Sequence, residues 1–200
     1  MTFRTIKLGL AVAAGLLFAA TAADAASAAN HCIKTGGVVQ TRIPEYNTNG
    51  GEPLILAGSQ DFCQYTKKDG SHIDVLLSTL ETKQPTLAAL AYYAQVQPGS
   101  CNGSPGSCYC TLLGGTDLFG GINAAGGGWV LNTDPNDVLD ACIFPDMSSI
   151  DSFGLFYHSA GIIRGHDLAK VLRYKNPFGH TQKGKTKNLP YAPARHVTRI

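Results

Sequence analysis

Beyond its first 20 residues the sequence has no stretch near the roughly 18 uninterrupted apolar residues of a transmembrane helix. A helical membrane span is therefore not expected in the rest of the chain. The residues before Cys32 are Ala29-Asn30-His31, which lack the Leu-x-small-Cys pattern of a bacterial lipoprotein, so no lipid anchor is expected either. A Gly-x-Ser-x-Gly nucleophile elbow is missing. No Lys-Ser/Thr follows Gly114-Gly115, Gly120-Gly121 or Gly126-Gly127-Gly128, which argues for turns and close strand approach in place of a phosphate cradle. Zinc sites usually combine two close ligand pairs, and Cys108-Tyr109-Cys110 stands alone. Neither a cofactor nor a metal is expected. Trp129 is the single tryptophan, and a position after three glycines suits a core plug better than an exposed contact.

What is present begins with a leader. Arg4 and Lys7 precede the uncharged run Leu8 to Ala20, and Ala23-Asp24-Ala25 offers a small-x-small cleavage site, with Ala26-Ser27-Ala28 as a rival. This reads as a signal peptide over residues 1–25 and a periplasmic or secreted product. All six cysteines, Cys32, Cys63, Cys101, Cys108, Cys110 and Cys142, lie beyond it. An even number in an exported chain predicts disulfides, and six cysteines allow fifteen complete pairings.

A repeat selects among them. Cys32 opens a text that runs through Gly36-Gly37 to Cys63, Tyr65 and Asp69-Gly70-Ser71. Cys110 opens its counterpart, through Gly114-Gly115 to Cys142, Phe144 and Asp146-Met147-Ser148. Equivalent residues should bond alike, which predicts Cys32–Cys63 and Cys110–Cys142, leaving Cys101–Cys108 to close the Gly/Ser/Pro loop between the copies. The expected fold is α+β and β-rich. Two small disulfide-stapled modules, 26–81 and 108–163, flank a linking helix and loop at 82–107, and a flexible basic tail covers 164–200. Strands are read at 37–43, 62–65, 73–77, 129–131, 139–144 and 150–157. A hairpin turns at Asp69-Gly70, one helix runs over 82–94 with Pro85 near its start, and a short helix lies near 166–174.

The doubled Cys-x3-Gly-Gly, Cys-x-aromatic and Asp-Gly-Ser pattern resembles the hemolysin-labelled family of small exported bacterial proteins, a domain of unknown function. Cys110, Gly114, Gly115, Cys142, Phe144, Pro145, Asp146, Ser148 and Phe153 match it best, and the likeness covers about half of the chain after the leader. It implies no activity, catalytic residue or cofactor. The lipobox and a further cysteine pair often seen in that family are absent, and no amphipathic basic helix supports membrane damage.

Charge is unevenly divided. Residues 26–163 hold five Lys/Arg against twelve Asp/Glu, whereas 164–200 hold nine Lys/Arg against Asp167 alone. The basic end, with Lys183, Lys185, Lys187, Arg195 and Arg199, suits an anionic envelope component or an acidic protein, through contacts that salt would weaken. Asp69/Asp74 and Asp146/Asp151 are too sparse for a calcium loop and read as turn residues. His158 and His166-Asp167 are the only polar clusters that invite catalysis. The expectation is a monomeric, non-enzymatic binding or accessory protein of the bacterial cell envelope. An inhibitor of an exported enzyme, acting through the 101–108 loop, and a hydrolase using His158 or His166 are the alternatives.

Overall fold

The computed structural model describes residues 15–100, 102–117 and 124–179, with side chains from Ala25 onward. The chain forms an α+β fold around one antiparallel sheet. The helices are α1 (Gly15–Lys34), α2 (Leu77–Glu81), α3 (Leu87–Ala94), α4 (Pro105–Leu112), α5 (Ser152–Ser159) and α6 (Leu168–Val171). The strands are β1 (Val38–Tyr46), β2 (Leu54–Ile55), β3 (Gln60–Thr66), β4 (His72–Leu76), β5 (Gly127–Leu131), β6 (Asp134–Leu139), β7 (Ala141–Ile143) and β8 (Ser149–Asp151). Their order is β6-β5-β1-β3-β4-β8-β7, with β2 paired to β1 alone. No described helix is long and apolar enough to cross a membrane.

The two halves of the repeat take the same local form. A helix carries the first cysteine and ends in Gly-Gly, a hairpin carries the second, and a helix follows the last strand. Both long bridges form as the repeat predicts, Cys32–Cys63 and Cys110–Cys142. Each would stabilise by about 3–4 kcal/mol through loop entropy. The third expected bridge ends on Cys101, which lies outside the described residues.

The first glycine of each pair, Gly36 and Gly114, has φ near +88° and +84°, the left-handed region that ends a helix. The second lies against the cystine: a Cβ on Gly37 would meet Cys63 Sγ at 2.3 Å, and one on Gly115 would meet Cys142 Sγ at 2.4 Å. Gly37→Ala and Gly115→Ala should therefore each cost about 1–3 kcal/mol by overpacking, read as a lowered urea midpoint. Gly99→Ala, where a Cβ meets nothing within 4 Å, should leave the midpoint in place.

The two expected modules share one sheet and one core. β1 pairs with β5 along Arg42–Tyr46, and β4 pairs with β8 at Val75↔Ile150. A single buried cluster contains Cys32, Cys63, Tyr65, Ile73 and Val75 together with Cys110, Cys142, Ile150 and Leu155. A unit of about 50 residues buries too little apolar surface to stand alone, and pairing the halves supplies the missing cover.

Other differences have local causes. The helix expected over 82–94 begins only at Leu87, after a non-helical stretch, 82–86, that contains Pro85, and Thr86 caps it by accepting the Ala89 N–H at 3.2 Å. The predicted loop 97–107 gives way to α4 from Pro105, which buries Gly106 against Phe153. The run 150–157, expected as a strand, turns helical at Ser152, where the Asp151 side chain caps the Phe153 N–H at 2.9 Å. Residues 164–175, assigned to the tail by charge, pack into the body through Leu168 and Leu172, both fully buried, and through an Arg173–Glu81 ion pair at 2.9 Å. The tail residues Lys183, Lys185, Lys187, Arg195 and Arg199 lie outside the described residues.

The sheet curls into a half-barrel. Its two end strands, β6 and β7, are consecutive in the chain with only Asp140 between them. Gly127 and Gly128, with φ of 141° and 155°, allow the bend in β5, where a Cβ on Gly128 would strike Val138 at 2.5 Å. Alternation then separates two faces. Cys63, Tyr65, Ile73, Val75 and Ile150 face the cystine core, while Gln40, Arg42, Phe62, Gln64, Asp74, Leu76 and Asp151 occupy the other face. A small apolar cluster of Phe62, Leu76, Leu139 and Ala141, with Trp129 packed against it, lines part of that face. Trp129 thus contributes to packing, its ring 5.8 Å from that of Phe62.

Candidate binding pocket

Arg42 is the largest fully buried side chain of the described residues, with no exposed surface. β1 carries it inward on the face away from the cystines. Its Nη1 donates to the carbonyl oxygens of Trp129 at 3.1 Å and Asp137 at 3.2 Å, and to Asp137 Oδ1 at 3.0 Å. Nη2 donates to Gln40 Oε1 and lies 3.7 Å from Asp74 Oδ1. Gln40 in turn donates to Gln64 Oε1 at 3.0 Å, and Gln64 Nε2 donates to Asp74 at 3.4 Å. The polar residues of three strands thus form one network inside the curl. Burying a charge is costly unless it is paired and hydrogen-bonded, and this network meets that requirement for Nη1 and Nη2. Nε has no partner.

A pocket of about 170 Å³ opens above this network, lined by Arg42, His72, Asp137, Val138, Leu139, Asp140, Asp151, Phe153 and Arg164. Different elements place these residues. β4 begins with His72, β6 ends beside Asp140, β8 ends at Asp151, which caps α5, and Phe153 lies in the first turn of α5. Arg164 sits on the segment between α5 and α6. That segment is pinned to the β3–β4 hairpin: Lys67 Nζ donates to the Ile163 carbonyl, and Gly165 leaves no room for a Cβ against Tyr65 O. Arg164 lies 5.2 Å from the Tyr157 ring centre, a cation–π distance, and forms no ion pair with a described residue.

Burial controls the carboxyls here. It pushes Asp74 up to about 6 despite the Arg42 guanidinium nearby. It pushes Asp151 up to about 7, helped by the charge of Asp74 and opposed by Arg164 and His72. Asp140 is raised further, first by burial, then by a hydrogen bond and charge from Asp117, with Asp151 adding to it. A hydrogen bond between two carboxyls requires a shared proton. Ser107 and Ser152 hydroxyls donate to Asp140 and Asp117 at 3.4 and 3.3 Å and hold the pair in place.

The residues singled out in the sequence fall elsewhere, with the exception of Asp74 and Asp151. Asp69 and Asp146 are turn residues: each accepts a backbone N–H and a hydroxyl from the serine two positions on. Asp146 also accepts the Leu87 N–H at 2.8 Å, so the second turn caps α3. Asp74 instead joins the buried Arg42 network, whereas Asp151 accepts the Phe153 N–H at the start of α5 and also lines the pocket. No group of three or more metal-ligating side chains occurs among the described residues. His158 is buried and stacked on Tyr92 with ring centres 3.7 Å apart, and burial lowers it to about 4. His166 stacks on Tyr65 at 5.5 Å. The two histidines pack on different tyrosines, and the structure brings neither into the pocket.

The pocket residues Arg42, His72, Asp140 and Arg164 escaped sequence reasoning. One signal was available. β1, β3 and β4 each alternate, and the positions opposite the cystine face read Gln40-x-Arg42, Gln64 and His72-x-Asp74, a polar second face with both signs of charge. The pocket lining brings guanidinium and imidazole groups beside carboxyls, two of which, Asp140 and Asp151, are raised above the ordinary range. No family model, curated protein or solved structure matches the chain.

Proposed function

We propose that this chain is an exported, non-enzymatic binding or accessory protein of the bacterial cell envelope, and that its body binds a small polar molecule at the mouth of the half-barrel. The fully buried Arg42 beneath an open pocket carries this reading. Arg164 stands at the rim of this pocket beside Asp140 and Asp151, and mouths of curled sheets are common ligand sites. The two disulfides support an oxidising compartment. The duplicated helix–hairpin–helix pattern supports descent from one repeated unit, with the pocket bordered by residues of both halves. The likeness to the hemolysin-labelled family adds to the export reading and supplies no activity.

The test is recovery of bound molecules from protein purified from its native periplasm or culture medium. Wild type, Arg164→Ala and a chain ending at residue 179 are compared at low and high salt. A body ligand should survive both the truncation and the salt, and fall at least about fivefold in Arg164→Ala. Equal recovery from wild type and Arg164→Ala would overturn the pocket. Loss on truncation and at high salt alone would assign binding to the basic end.

A further inference from the structure

Resting on the export reading, we infer that the leader is removed at the Ala25–Ala26 bond. The residues just beyond that cut form the first helical turn of the repeated unit, clamped onto α2 and α6. A leader peptidase of the envelope adds water across the amide, leaving a carboxylate on Ala25 and an ammonium on Ala26. The small-x-small pattern by itself admits a second cut, after Ala28. Burial and hydrogen bonding decide which of the two the fold tolerates.

α1 runs without a break from Gly15 to Lys34, so the helix marks no junction. Its contacts do. Ala25 and Ala26 are exposed. From Ser27 onward one face is docked, at the spacing of successive helical turns. Ser27 Oγ donates to Glu81 Oε1 of α2 at 2.8 Å, and the same carboxylate pairs with Arg173 just beyond α6. Ala28, 5% exposed, belongs to the cystine core. One turn on, His31 Nε2 donates to the Val171 carbonyl of α6 at 2.8 Å, and Cys32 is bridged to Cys63. A cut after Ala28 removes the Glu81 contact and a core residue. A cut after Ala25 removes neither.

The second half of the repeat gives the same boundary independently. Cys110 stands in α4, which begins at Pro105 with Ser104 at the N-cap. Pro105 precedes Cys110 by five positions, as Ser27 precedes Cys32. The next residues, Gly106 and Ala28, also correspond, and both are buried. A Cβ on Gly106 would meet the Phe153 ring at 3.1 Å, so this point of the helix is closely packed. The unit thus needs a helix that starts ahead of its first cysteine by this distance. A chain beginning at Ala26 keeps all of it, with Ala26 in the place of Ser104.

The full precursor is expressed in an exporting bacterial host, and the periplasmic product is weighed intact by mass spectrometry. Chains beginning at Ala26 and at Ala29 are also made without the leader, and compared by thermal unfolding with their disulfides formed. The periplasmic product should have the mass of residues 26–200. The chain from Ala29 should melt about 3–8 °C below the chain from Ala26. Ser27→Ala in the longer chain should account for about half of that difference. Asn30→Ala, at an exposed position of the same helix, should not lower the midpoint. If the chain from Ala29 does not fold, Ser27→Ala carries the comparison.

Any other N-terminus in the exported product would overturn the inference and leave export standing. Equal midpoints for the two chains, or for Ser27→Ala and its parent, would overturn the clamp. A precursor that stays whole in the cytoplasm with reduced thiols would defeat the export reading and the cut together.

Discussion

Replacing Arg42 with Met should cost about 3–5 kcal/mol at pH 7.5, the range for removing one partner of a buried ion pair. The side chain has no exposed surface, and its guanidinium holds Asp74, Asp137, Gln40 and the Trp129 carbonyl. These partners would not suffer alike. The Asp137 side chain is 35% exposed and can turn to water, whereas Asp74 is wholly enclosed. Asp74 already sits near 6 with Arg42 beside it. Without the guanidinium it would take a proton more readily, so the cost of Arg42→Met should shrink at pH 5. Arg42→Met combined with Asp74→Asn should recover part of the loss at pH 7.5 and little at pH 5. Urea unfolding of the four proteins of this cycle at both pH values checks the point. Additive losses with no pH dependence would place Asp74 in water.

The wild-type protein should be more stable at pH 5 than at pH 7.5. Asp74, Asp151 and Asp140 all have native values above the ordinary carboxylate range. Between the unfolded value near 4 and those native values, the folded chain holds protons that the unfolded chain has lost. Stability therefore falls as pH rises through this window, by about 1.4 kcal/mol per pH unit for each proton at most. His158 acts in the opposite sense. Its native value is about 4 against the ordinary 6.5, so the stability that it contributes is lost as pH falls between these values. Three carboxyls outweigh one imidazole. Below pH 4 the turn carboxyls Asp69 and Asp146, both held low, add to the acid loss. A thermal unfolding midpoint several degrees higher at pH 5 than at pH 7.5 is the expected result. A midpoint that rises from pH 5 to 7.5 would mean that the carboxyls are ionised and solvated in the native state.

The cystine framework was legible because it is written twice. Cys32 and Cys110 each precede a Gly-Gly, and the second glycine of each pair is required by the sulfur atoms against which it packs. The hairpin at Asp69-Gly70 was equally plain, since the turn and the flanking alternation agree. What escaped reading is non-local. Nothing near Ser152 announces that a strand ends there, because the cap on Asp151 and the packing of Gly154 against Ile73 depend on β4. The sharing of one sheet by both halves depends on β1–β5 and β4–β8 pairs that no local pattern encodes.

The pocket was hidden for the same reason. Arg42 and Asp74 are 32 positions apart, and Asp140 and Asp151 belong to the other half of the repeat. Each looks like an ordinary charged residue until the sheet curls. Asp74 and Asp151 were noticed as partners of turn aspartates: Asp151 does accept a backbone N–H, at the start of α5, whereas Asp74 belongs to the Arg42 network.

Arg42 and the carboxyls around it form a desolvated polar site inside the curl of the sheet. Carbon-13 NMR of the aspartate side-chain carboxyls, followed from pH 3 to 9, tests it most directly. Asp151 should titrate near 7 and Asp74 near 6, with Asp140 above the ordinary range and Asp69 and Asp146 below it. Carboxyl midpoints that all fall near the ordinary value of about 4 would contradict the claim, because they would place every one of these groups in water.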